Sequence, residues 1–234
     1  MSWALTRHET RRAGWPSLAA VPAVLAAGIL LALVLEGKGH DPAAFAGFWL
    51  REFIPLAFGL AVVAVPAAER CLEVQLSLPT PVVRTLGRRA GWCALWSAAS
   101  TVGVALAAGL SGTWSPAYGL LSGQLTWLAP TIVLIGVGAA VFALSGTVNG
   151  AGATVAGLWL VQDLSGQWFT SHEWARLLYL FAADDHSVPA TWWWANRLTQ
   201  LAAGLLLVAF AAVMLSARQE QVLAGRLRHQ GEDS

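Results

Sequence analysis

Long apolar runs alternate with short polar ones along the chain, and the runs have the length of a bilayer rather than of a soluble core. A hydrocarbon core of about 30 Å needs roughly 20 apolar helical residues. Six runs free of Asp, Glu, Lys and Arg approach that length: Pro16 to Leu35, Phe53 to Ala68, Ala90 to Leu110, Leu120 to Leu144, Thr147 to Gln162 and Leu198 to Ala217. The pattern predicts an all-α, polytopic membrane protein of six transmembrane helices forming a single domain over residues 1–234. The second and fifth runs are short, and the Gly-rich fifth also suits a re-entrant segment.

The polar segments between the runs predict orientation. Ten cationic residues, Arg7, Arg11, Arg12, Arg70, Arg84, Arg88, Arg89, Arg218, Arg226 and Arg228, fall on one side if the runs alternate, and four, Lys38, Arg51, Arg176 and Arg197, on the other. The positive-inside rule then predicts both termini in the cytoplasm, and the expected location is the plasma membrane. Tryptophans at the predicted borders, Trp15 and Trp92 inside and Trp49, Trp114, Trp127, Trp168 and Trp192 to Trp194 outside, agree with an interfacial belt. Residues 1–15 read as a basic interfacial helix and 218–234 as a cytoplasmic tail. The first run outlasts a signal-peptide core, so it reads as a retained span. In the long outer segment 163–197, SHEWARLLYLF (Ser171 to Phe181) predicts an amphipathic helix capped by Ser171.

Composition supports this class, with 56% hydrophobic and 12% charged residues and a mean hydropathy of +0.58. The net charge of +1 gives no reason to expect a nucleic-acid partner. Two cysteines, Cys71 and Cys93, are too few for a disulfide framework and are expected as reduced thiols on the cytoplasmic side.

Candidate chemistry narrows by elimination. GLSG at Gly109 to Gly112 fits the pattern of rhomboid-like intramembrane proteases, but a serine nucleophile needs a histidine base and the last run has none. His172 and Glu173 lack the second histidine of a zinc helix, since Arg176 stands at that position. Asp184, Asp185 and His186 read as a solvated turn, so no metal site is expected. A phosphate-cradling loop needs a lysine, and the single lysine, Lys38, lies in EGKGH outside such a motif. The six runs hold no ionisable relay for proton coupling, Asp163 being the nearest group. A transporter built this way would take its energy from a partner docked on the cytoplasmic side. The largest inner connection, 69–89, reads as a short helix broken by Pro79 and Pro81, then a restart toward the third run.

AERCLEVQLSLPTPVVRTLGR resembles the cytoplasmic segment after the second span of type-2 ATP-binding-cassette permeases: an acidic residue, then L-E-x-x-L-x-L-P, then a basic helix. Glu69, Leu72, Glu73, Leu76, Leu78 and Pro79 carry that match. LTRHETRRAG is similar to the family's interfacial helix, and the Asn-Arg pair in WWWANRLTQLAAGLLLVAFAAVML to the opening of its sixth span. The resemblance implies the permease subunit of an ATP-driven exporter, with Glu69, Arg70, Glu73, Leu76 and Pro79 contacting a separate ATPase that binds ATP and magnesium. It also implies a second permease subunit, identical or not, and no catalytic residue in this chain. Arg70-Cys71 departs from the glycine often found after the acidic residue, and the Trp-rich segment before the last run is unusual.

For the translocation path the expectation is a lining of Trp96, Ser97, Ser100, Thr101, Thr131 and Phe142, suited to a hydrophobic or amphiphilic cargo such as a peptide antibiotic, drug or lipid. GxxxG at Gly146 to Gly150, with Gly152, predicts close helix packing. The competing classes are a non-transport membrane protein that binds or assembles partners, and the intramembrane protease.

Overall fold

The computed structural model describes residues 15–68, 82–182 and 189–232, and every regular element among them is helical. In chain order these are α1 (Trp15–Glu36), α2 (Pro42–Val63), a 3-10 turn (Val65–Ala68), α3 (Val82–Leu110), α4 (Leu120–Gly123), α5 (Leu125–Ser145), α6 (Val148–Leu164), α7 (Gly166–Ser171), α8 (Glu173–Arg176) and α9 (Ala190–Glu232). The segments expected to matter at 1–14, at Glu69, Arg70, Cys71, Glu73, Leu76 and Pro79, and at Asp184 to His186 lie outside the described residues.

Five stretches are long and apolar enough to cross a membrane: Pro16–Glu36, Pro42–Val63, Val83–Leu110, Leu120–Ser145 and Ala190–Gln219. The chain is therefore a multi-pass membrane protein by the composition and length of its helices. Helix α6, the expected fifth span, has 17 residues, roughly 26 Å of rise against a hydrocarbon core of about 30 Å.

Three helices begin earlier than the apolar runs suggest: α3, which starts at Val82 and takes in Arg84, Arg88 and Arg89, and α2 and α9, whose starts are set by local signals and not by the last charge. Asp41 Oδ1 accepts from Ala43 N at 2.9 Å and Pro42 occupies the first turn, where its missing N–H has no intrahelical partner to lose. Helix α2 thus carries Arg51 and Glu52 inside its span. Likewise α9 starts at Ala190 and carries Asn196 and Arg197 inside. The expectation that the spans hold no ionisable group is corrected by both.

Helix α5 is the centre of the bundle. Its heaviest partners are α9, α2 and α6. At the α5–α9 crossing the backbones touch: a Cβ on Gly136 would lie 2.6 Å from Gly204 O, and one on Gly204 would lie 2.7 Å from Ile132 C and O. Small residues at such a crossing let dispersion replace the hydrophobic drive that lipid does not supply. The GxxxG expected to serve this purpose does not. Gly146 ends α5 in the left-handed region (φ 71°), and a Cβ on Gly150 would meet its own neighbour Thr147 Oγ1.

Three apolar clusters fill the interior. Val21, Ile54, Phe58 and Trp127 anchor the one between α1, α2, α3 and α5. Leu134, Val155 and Phe181 anchor a second under the segment after α8, and Leu18, Ala61, Val65 and Cys93 a third toward the 69–81 interruption. Cys93 Sγ lies 3.3 Å from Ser17 O, which it reaches as a donor.

Candidate functional site

The end of the bundle opposite the 69–81 interruption gathers the polar groups. Arg51 Nη2 and Glu52 Oε1 are 3.0 Å apart. Glu52 is 5% exposed and its Oε2 is buried with no hydrogen-bond partner in the described structure. Asp163, near the C-terminus of α6, lies within hydrogen-bonding reach of the Glu52 carboxyl and is itself exposed. Trp159 Nε1, one turn earlier on α6, donates to Glu52 O at 2.8 Å and fastens α6 to α2.

Above this pair the segment after α8 is held by side chains of α9. Asn196 Nδ2 donates to Arg176 O (2.6 Å), Tyr179 O (3.0 Å) and Leu177 O (3.2 Å). Arg197 donates from Nη1 to Leu180 O (2.9 Å) and from Nη2 to Ala182 O (2.6 Å), with its guanidinium over the Trp193 ring. Gln200 Nε2 donates to Tyr179 O at 2.8 Å and to Asn196 Oδ1 at 2.9 Å. From α6, Gln162 Oε1 accepts from Leu180 N at 3.1 Å. Of these carbonyls Arg176 O also accepts from the Tyr179 N–H at 3.3 Å; the rest of the non-helical stretch relies on these amides and the guanidinium.

The single amphipathic helix expected over Ser171 to Phe181 is instead α7 and α8 followed by this captured stretch. Ser171 closes α7, bonding back to Trp168 O at 2.9 Å, rather than capping a helix. Leu180 and Phe181 are buried while Trp174 and Leu178 remain exposed. Burial pushes the Tyr179 phenol above its ordinary value of 10.0; Arg51 opposes that shift, and Glu52 and Asp163 add to it.

Two apolar cavities flank the core. One of about 430 Å³ opens between α1, α2 and α3 beside Trp49, with Glu36 and Thr113 at its lining. The other, about 160 Å³, lies between α2, α3, α5 and α9 toward the 69–81 interruption.

Of the six residues expected to line one path, Trp96, Ser97, Ser100 and Thr101 lie on α3 and Thr131 and Phe142 on α5. Trp96 is 52% exposed on the outside of α3, whereas Ser97, Thr101 and Thr131 are buried. Ser100 Oγ and Thr101 Oγ1 bond to carbonyls of their own helix, Trp96 O and Ser97 O. Phe142 alone of the six lines the smaller cavity. Glu52 escaped sequence reasoning because it was counted into a connection, and Arg197, noted as half of the Asn-Arg pair, was counted there too; the Asp41-Pro42 and Pro189 start signals are the marks that place them within helices. Compared with models of known protein families, with curated proteins and with solved structures, the chain matches none of them.

Proposed function

We propose that this chain is the membrane-spanning permease subunit of an ATP-driven exporter of the ATP-binding-cassette class. It crosses the plasma membrane six times, α6 included, with both termini in the cytoplasm. It pairs with a second permease subunit and with a separate ATPase, which supplies ATP and magnesium. The observation that carries the reading is the position of the motif-bearing residues 69–81, between the 3-10 turn that ends at Ala68 and the start of α3 at Val82. That connection joins two neighbours of the bundle core, so a push on it is delivered to both α2 and α3. Arg84, Arg88 and Arg89 in the first turns of α3 support a cytoplasmic location for that end.

The two apolar cavities, one toward each end, support a hydrophobic or amphiphilic cargo. The chain brings no lysine to a phosphate loop, and its one lysine, Lys38, lies in the α1–α2 turn, so hydrolysis falls to the partner. Co-expression with the ATPase encoded beside it tests the reading. The ATPase should co-purify with the wild-type chain and be lost on Glu73→Arg combined with Leu76→Asp. Undiminished association in that double variant would remove the coupling role of 69–79.

A further inference from the structure

The buried half of Glu52 is arranged for a partner that the chain does not supply. Oε1 is taken by Arg51, while Oε2 is enclosed without a donor among the described residues. The group within reach of that carboxyl is Asp163, a second acceptor. Two acidic groups thus face a single guanidinium, and the buried one, Glu52, sits where an uncompensated negative charge is costly. The surroundings are aromatic. Phe53 lies 5.6 Å from Trp159, Trp159 lies 6.3 Å from Phe181, and Tyr179 lies 6.1 Å from Phe181, ring centre to ring centre. The Phe53 ring also stacks on Trp49 at 4.5 Å, and Trp49 lines the larger cavity.

We propose that this site binds a protonated primary amine carried on an apolar body, with the ammonium between Glu52 Oε2 and Asp163 and the apolar part against Phe53 and Trp159. An ammonium has three N–H donors. One fits the orphaned oxygen of Glu52, a second fits Asp163, and the positive charge complements the acidic pair. A hard divalent ion is a poorer match, because calcium asks for six to eight oxygens and magnesium for a regular octahedron, and no group of three or more metal-ligating acidic, His or Cys side chains occurs among the described residues. Asp163 is exposed and Glu52 buried, so the amine meets solvent-facing charge first and moves inward to the second. The site names a cargo class for the exporter reading, yet binding belongs to this chain alone, so the test omits the ATPase and its failure is separable from failure of that reading.

The full chain, purified in maltoside micelles, is titrated calorimetrically with phenethylamine and with 2-phenylethanol, which has the same apolar body and no charge. Saturable binding is expected for the amine and none for the alcohol. Glu52→Gln and Asp163→Asn should each weaken the amine by about tenfold or more, as the loss of a charge-assisted hydrogen bond does. Asp163 is exposed, so its variant reports even if the Glu52 variant fails to fold. Equal binding of amine and alcohol, amine binding unchanged in Asp163→Asn, or displacement of the amine by millimolar sodium or magnesium would each overturn the assignment.

Discussion

Asn196→Ala tests the clamp that α9 places on the segment after α8. The side chain is 3% exposed, and its amide supplies two N–H donors shared among Arg176 O, Leu177 O and Tyr179 O. Its removal also takes Oδ1 away from Gln200 Nε2, which keeps Tyr179 O as a partner. A net hydrogen bond is worth about 0.5–1.5 kcal/mol and a buried carbonyl left unsatisfied costs about 1–3. With two donors lost, and two of the three carbonyls still served, Tyr179 O by Gln200 and Arg176 O by the Tyr179 N–H at 3.3 Å, the cost of holding 176–179 in place rises by about 1–3 kcal/mol, the cost of orphaning Leu177 O. Local opening then increases roughly 5- to 150-fold, since 1.4 kcal/mol is tenfold. Tryptic cleavage after the exposed Arg176 in detergent reads this directly when opening is fast relative to cleavage. Asn196→Asp should be worse than Ala, because a carboxylate would face the same carbonyls with no donor at all. A cleavage rate unchanged in Asn196→Ala, or an Asp variant no more sensitive than Ala, would refute the clamp.

Three further outcomes follow from other contacts. Gly204→Val, which drives a side chain into the backbone of Ile132, should cost about 1–3 kcal/mol or more and lower the thermal midpoint in detergent, whereas Gly103→Ala, with open space around it, should be nearly silent. Asp41→Ala should destabilise by about 0.5–2 kcal/mol through loss of the α2 cap, read as a shifted unfolding midpoint. In Tyr118→Phe protein the remaining phenol, Tyr179, should ionise at higher pH than an exposed phenol, because burial disfavours its phenolate; its proton is held more tightly folded than unfolded, so the stability it contributes is intact below the unfolded value and declines as pH rises through the folded value. An ordinary phenolate titration at Tyr179 would contradict its burial.

The five long spans were legible from run length because bilayer thickness sets helix length, whatever the packing. Their ends were less legible. Counting a run from its last charge hides a helix that carries a paired charge inward, as Arg51 and Glu52 do in α2, and the cap at Asp41 marks the true start. The close crossing at Gly136 and Gly204 joins residues 68 positions apart in different helices, which no local motif announces, while the visible GxxxG crosses a chain reversal and packs no helix pair. The polar clamp was half legible. The Asn-Arg pair stood out at Asn196 and Arg197, but its acceptors are main-chain carbonyls, and carbonyls leave no mark in a sequence. Hydroxyls such as Ser100 and Thr101 are satisfied by carbonyls one turn back, so mild polarity in a span does not by itself indicate a lining.

The central claim is that energy enters through residues 69–79 from a partner ATPase. ATP hydrolysis by that ATPase, measured in proteoliposomes with and without this chain, tests it most directly. The chain should stimulate hydrolysis in the wild-type form and lose that effect with Glu73→Arg and Leu76→Asp, while the variant still inserts and folds. Equal stimulation by both forms, or by neither, would contradict the account.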